Sequence, residues 1–344
     1  AKATETHTHV NLEPQVIDGN PIVVEVTRGS AVESRHRGSA VVVDPAGHVV
    51  ASWGNSEAPV FPRSAIKSVQ AIPFVESGAV EAFGLGDIEI ALACASHNGE
   101  PQHVEAIASW LAKIGLDTDD LECGTHWPYD RDAARTLADT GGVPTALHNN
   151  CSGKHVAMLS TALHMAEPTK GYVRIEHPCQ QRVLGTLEFM CGMDFTNIHA
   201  GIDGCAIPAF AIPLENIALA LARIATPDVL PAMRAKAVTR ICDAIAAEPY
   251  MVAGRNRYCS EVMAITGKRV MVKTGAEGVF AAAIPDLGLG VALKCDDGAT
   301  RASQAMMTAI LIQLGALEEG MTDLLGHLIR VPLKNCKGDE IGEI

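Results

Sequence analysis

Ser64 and Lys67 stand three residues apart in FPRSAIKS, and Lys273-Thr274-Gly275 comes much later, in VMVKTGAEG. A serine hydroxyl is a poor nucleophile until a base removes its proton during attack. A lysine three residues along a helix lies on the same face, one turn away. To act as base it must be neutral, so its pKa has to fall from about 10.4 towards roughly 7–8. That shift costs on the order of 4 kcal/mol, met by burial and by a second cation nearby. Lys273 is a candidate for that cation. Ser96, in Ser96-His97-Asn98, is a candidate to relay a proton between the two lysines. Ser-x-x-Lys alone is weak, because a helix-capping serine and a solvated lysine give the same letters. The apolar neighbours Ala65, Ile66, Val69, Ala71 and Ile72 favour a buried or working Lys67.

Two further segments carry reactive groups. NNCSGKHVAML (149–159) sets two Asn, a Cys and a Lys-His pair ahead of a smooth helix. GIDGCAIPAF (201–210) is a glycine-bearing loop with Asp203 and Cys205. The plain alternative is two turns with buried thiols.

The elements that must position these groups follow from periodicity. Strands are expected at 21–29 and 39–54, the latter containing an Asp44-Pro45-Ala46-Gly47 turn, and again at 268–275, 278–285 and 287–295. Ser64 is expected to cap a helix over 64–77. Helical spacing continues near 87–95, 101–115, 131–139, 177–192, 214–224, 228–247 and 299–315. Strands, then helices, then strands and a last helix imply an α/β (α+β) fold. Its five-stranded antiparallel sheet is covered on one face by the terminal helix, and the middle helices form a second lobe. The expected organisation is a loose polar tail at 1–20 and one domain over 21–344. Its sheet lobe comes from 21–62 and 265–320 and its helical lobe from 64–250, with the active site in the crevice between them.

Composition narrows the function classes. The 344 residues carry 27 Lys and Arg against 40 Asp and Glu, a net charge of −13 with no basic run. Nucleic acid and anionic membrane surfaces are therefore poor partners. Apolar runs are too short to span a bilayer, and no charged-then-apolar signal precedes the fold. Ten cysteines at irregular intervals, several inside apolar helical runs, suit a reducing compartment, so a cytoplasmic location is expected.

The ordered set Ser64-x-x-Lys67, Ser96-x-Asn98 and Lys273-Thr274-Gly275 resembles that of serine β-lactamases and penicillin-binding proteins. RSAIKSVQA, CASHNGEPQHV, NNCSGKHVAML, GIDGCAIPAF, MVAGRNRYCSEVM and VKTGAEG together resemble the rhizobial-type (class 3) L-asparaginases, in order from about residue 21 to the last strand. The resemblance implies a serine β-lactamase-like fold, a homodimer, and hydrolysis of L-asparagine to L-aspartate and ammonia. It implies Ser64 as nucleophile with Lys67 as partner, and Ser96 with Lys273 as a second Ser–Lys pair. It also implies a zinc ion held by Cys151, Lys154 and Cys205, and substrate contacts from Arg63, His155 and Asp203. Thr274 stands where the rhizobial members have Leu and receives no role. Chemically, Arg63 suits an α-carboxylate and Asp203 an α-ammonium, and two thiolates suit zinc. The backbone N–H groups of Ser64 and Ala276 are the expected oxyanion donors, by analogy with β-lactamases. Two other outcomes fit the same residues: a β-lactamase or D,D-peptidase, and a non-catalytic amino-acid-binding relative.

Overall fold

The structure, a computed structural model, describes residues 19–344, so most of the tail expected at 1–20 lies outside it. Six strands form the main sheet: β1 (Ile22–Arg28), β2 (Ala31–Val43), β3 (Val49–Trp53), β4 (Met271–Thr274), β5 (Val279–Ile284) and β6 (Leu289–Cys295). Their order is β1-β2-β6-β5-β4, with β3 also on β2, and every pairing is antiparallel. The expected count was five. The sixth is β3, because the stretch 39–54 folds at the Asp44–Gly47 turn into the end of β2 and β3; β2 also starts earlier than expected, at Ala31, and its charged first half pairs with β1. The Asp44–Gly47 turn forms as expected, with Gly47 N–H donating to Asp44 O and Ala46 N–H to the Asp44 carboxylate.

Two helices sandwich this sheet. A Cβ added at Gly290 on β6 would meet Ala218 O of α4 (Leu214–Ala225) at 2.0 Å. One added at Gly38, paired with Cys295, would meet Met306 Cε of α6 (Thr300–Gln313) at 3.0 Å. Positions 290 and 295 are an odd number of residues apart, so they face opposite sides of the sheet. The terminal helix therefore covers one face, as expected. Helix α4, expected in the helical lobe, covers the other. The strands accordingly read as continuous apolar runs buried on both sides, such as Val41–Val43 and Ala281–Ala283.

The helices that carry reactive groups are α1 (Lys67–Gln70), α2 (Asp87–Ala93) and α3 (Ser152–His164), with α5 (Tyr258–Thr266) leading into β4. Helix α5 and a C-terminal hairpin (Pro332–Lys334 with Glu340–Glu343) were not expected from periodicity. The helix expected over 64–77 is broken into a 3₁₀ turn (Arg63–Ile66), α1 and a further helix, Ile72–Glu76. Ser64 does not cap it: Pro62 holds the cap position, with no side-chain cap bond. Among the described residues no helix is long and apolar enough to cross a membrane.

Candidate active site

Close approach of three backbones builds the site. Gly275 ends the β4 motif where a Cβ would lie 2.6 Å from Pro62 O and 3.3 Å from Ala65 Cβ, so only glycine lets this strand end press on the Ser64 turn. A Cβ at Gly153 would lie 2.2 Å from Leu92 O, and that contact brings Cys151 and Lys154 against the end of α2, just before Ser96. Backbone bonds then pin the Ser96 segment. Ser96 N–H donates to Val252 O at 2.9 Å, Asn98 N–H to Ala253 O at 2.9 Å, and His97 N–H to Asn150 O at 3.2 Å.

Ser96 is the junction. Its Oγ accepts from Lys67 Nζ at 3.1 Å and from Lys273 Nζ at 2.8 Å. Lys67 also donates to Ala95 O and to Cys151 Sγ, the latter at 3.1 Å. Both lysines are buried. Burial first and Lys67 second push Lys273 down to about 7. Burial, with Lys154 nearby, lowers Lys67 as well. Two ammonium groups on one buried hydroxyl oxygen disfavour each other, so the pair favours losing one proton.

Ser64 and Ser96 line one cavity of about 270 Å³, together with Tyr129, Asn150, Arg257 and Ala276. The Ser64 hydroxyl makes no hydrogen bond to another described residue; Lys67 is engaged with Ser96 and Cys151 instead. The Ala276 N–H, in the turn after β4, has no acceptor among the described residues and lines the same cavity.

Cys151, Lys154 and Cys205 also come together. Lys154 Nζ lies 3.2 Å from Cys205 Sγ, and all three side chains are buried. The Cys151 thiol hydrogen-bonds Cys205 and, helped by the Lys154 charge, lowers Cys205 to about 5, while Cys151 itself is raised to about 12. Burial opposes the Lys154 charge, but Cys205 and Cys151 outweigh it and raise its pKa. Two sulfurs and an amine converging at this spacing make a donor set that fits zinc, with the lysine having to give up its proton.

The three residues expected to contact substrate sit beside the Cys151–Lys154–Cys205 cluster and outside the lining of the Ser64 cavity. Arg63 Nε and Nη2 donate to the two Asp203 oxygens at 2.9 and 3.1 Å, so these residues satisfy each other and neither lines the cavity. His155 is buried beside Tyr172, with Nδ1 2.8 Å from the phenol oxygen and Nε2 without a partner. Burial lowers its pKa to about 3, so it is neutral.

Five described non-glycine residues have positive φ, and four flank the residues just described: Arg63 before Ser64, Ala206 after Cys205, Asn256 before Arg257 and Glu277 after Ala276. Such conformations cost on the order of 1–3 kcal/mol and persist where the surroundings enforce them, commonly at working sites. Arg257, Tyr129 and Asn150 received no role from the sequence. The nearest signal was MVAGRNRYCSEVM, where Arg257 carries no spacing that marks it.

A match to the L-asparaginase II family spans residues 24–344. The chain belongs to the L-asparaginase II family. Membership makes it a hydrolase. Among curated protein sequences none matches it. Similar solved structures include a β-lactamase from Mycobacterium bovis, 15% identical, covering 80% of this chain and 94% of that one with a TM-score of 0.39. A class C β-lactamase from Rhodobacter sphaeroides is 12% identical, with coverages of 80% and 94% and a TM-score of 0.41. A β-lactamase described as putative, from Bacteroides dorei, is 12% identical, with coverages of 80% and 93% and a TM-score of 0.43. With TM-scores this low, the sheet order and helical packing described above define the fold.

Proposed function

We propose that this chain hydrolyses the side-chain amide of L-asparagine to L-aspartate and ammonia through an acyl-enzyme on Ser64. Family membership points to the substrate, and one observation carries the mechanism: the Ser96 oxygen takes both lysine ammonium groups at the edge of the cavity that holds Ser64. Ser64 Oγ attacks the amide carbon as Lys67, neutral in the one-proton state of the pair, takes its proton. The backbone N–H groups of Ser64 and Ala276 receive the developing oxyanion. The C–N bond then breaks, and a proton delivered through Lys273 and Ser96 leaves with ammonia. Water attacks the β-aspartyl ester, its proton passes to the lysine pair, and Ser64 departs as the hydroxyl.

Zinc would be held by Cys151, Lys154 and Cys205. When bound it would polarise and position groups beside the cavity, with no need to generate hydroxide, because a hydroxyl nucleophile is present. The working assembly is proposed as a cytoplasmic homodimer.

A second reading is favoured by Gly275 packing Lys273-Thr274-Gly275 against the Ser64 turn: a β-lactamase or D,D-peptidase. Ammonia release from asparagine and glutamine, with and without added zinc, and turnover of a chromogenic cephalosporin separate the two. Asparagine should be hydrolysed about 100-fold more efficiently than glutamine, whose extra methylene misplaces the amide. Cephalosporin turnover without ammonia release would favour the second reading.

A further inference from the structure

The cavity of Ser64 and Ser96 is lined by one cationic side chain, Arg257, and by no carboxylate. Arg257 makes no ion pair among the described residues. Its Nη1 donates to Asn98 Oδ1 at 2.6 Å and approaches Ser96 O at 3.4 Å, while Nε and Nη2 have no acceptor there. Its position is built rather than incidental. The buried Glu100 carboxylate accepts from Arg255 N–H at 2.8 Å, Arg255 Nε at 2.8 Å, Asn98 Nδ2 at 3.1 Å and Tyr250 OH at 3.1 Å. That network ties the 250–255 segment to Asn98, and Asn256 turns through φ +56° to bring Arg257 onto the Asn98 side-chain amide oxygen. Arg63, the other arginine near the nucleophile, has its fork filled by Asp203.

We infer that Arg257 is the receptor for the substrate's α-carboxylate. The inference rests on the asparaginase reading and deepens it. A guanidinium with two free N–H groups matches the two oxygens of a carboxylate. Bound there, the carboxylate lies in the cavity that holds Ser64. The α-ammonium finds no carboxylate in the cavity and meets neutral acceptors such as Asn150 and Gln304. Substrate charge is therefore read mainly at the carboxylate end.

The test compares Arg257→Gln, Arg257→Lys and Arg63→Gln by steady-state ammonia release from L-asparagine. Arg257→Gln should raise KM about 10- to 100-fold, the scale of a lost hydrogen-bonded charge partner, with kcat falling less. Arg257→Lys should recover part of that loss, and Arg63→Gln should change KM less than Arg257→Gln. A KM unchanged in Arg257→Gln, or raised more in Arg63→Gln, overturns the assignment. So does an Arg257→Gln loss confined to kcat, which would mark Arg257 as a positioning residue for Ser96. Should Arg257→Gln not fold, competition against the wild-type enzyme decides. Succinamate keeps the carboxylate and lacks the ammonium, and should inhibit at least about 10-fold better than 3-aminopropanamide, which has the reverse. The opposite ranking overturns the inference. No ammonia from asparagine with the wild type would fail the asparaginase reading itself, and this inference with it.

Discussion

Lys273 and Lys67 direct their amine nitrogens at the same oxygen, the Ser96 hydroxyl, from 2.8 and 3.1 Å. Both are cut off from water, so a doubly charged pair is disfavoured and the first proton leaves near the pKa of about 7 that burial and Lys67 impose on Lys273. In the proposed mechanism the active state carries one proton, which Ser96 relays to Lys273 so that Lys67 is the neutral base and Lys273 the acid. Since the low-pH form is doubly protonated, kcat/KM should rise as pH increases through about 7, then fall once the second proton is lost. A pH–rate profile on asparagine checks this, and a flat profile between about pH 6 and 8 would contradict it. Replacing Lys67 with Met removes a neighbouring positive charge, so the Lys273 pKa should move upward, readable by ¹³C NMR of labelled lysine.

Gly275→Ala should damage catalysis more than folding. The new methyl would sit 2.6 Å from Pro62 O, so the strand end must retreat from the Ser64 turn. Overpacking of this kind typically costs about 1–3 kcal/mol. Urea unfolding should show a loss in that range, while the ammonia assay falls by at least about 100-fold, as expected for an ångström-scale misplacement of Ala276 and Lys273. A fully active variant would show that the approach of Gly275 to the nucleophile turn is not required.

Metal uptake should release protons. Cys205 is already a thiolate above about pH 5, whereas Cys151, raised to about 12, and Lys154, also raised, hold theirs at neutral pH. Zinc needs all three deprotonated, so about two protons should leave per metal and affinity should climb with pH. Calorimetry in buffers of different ionisation enthalpy counts them. Cys151→Ser or Cys205→Ser should abolish this binding and raise KM more than they lower kcat. Unaltered zinc binding in both variants would remove these thiols from the metal site.

Much of this architecture was legible because it rests on local signals. Short apolar runs bounded by Gly and Asp turns gave the β4–β6 strands, and 3.6-residue spacing gave α2, α4 and α6 to within a few residues. The Ser64, Ser96 and Lys273 patterns marked groups that do converge on one cavity edge. Tertiary contacts were not legible. The charged N-terminal half of β2 breaks the apolar pattern yet pairs with β1. Pro62 and the positive φ of Arg63 displaced Ser64 from a cap into a 3₁₀ turn. Arg63 and Asp203, 140 residues apart and expected to meet the substrate's α-carboxylate and α-ammonium, pair with each other, a contact no local signal announces. Arg257 entered the cavity through a loop anchored on Glu100, which no spacing in the sequence announces.

Rapid-quench mass spectrometry during asparagine turnover, run beside ammonia release for the wild type and Ser64→Ala, is the most direct test of the central claim. Loss of the Ser64 hydroxyl removes the nucleophile from a half-buried turn and no hydrogen bond to another described residue, so the variant should fold as the wild type does. The wild type should show a β-aspartyl adduct on the peptide containing Ser64, together with ammonia; Ser64→Ala should show neither. Ammonia release by Ser64→Ala above a few per cent of wild type, or an adduct on any other residue, would contradict it.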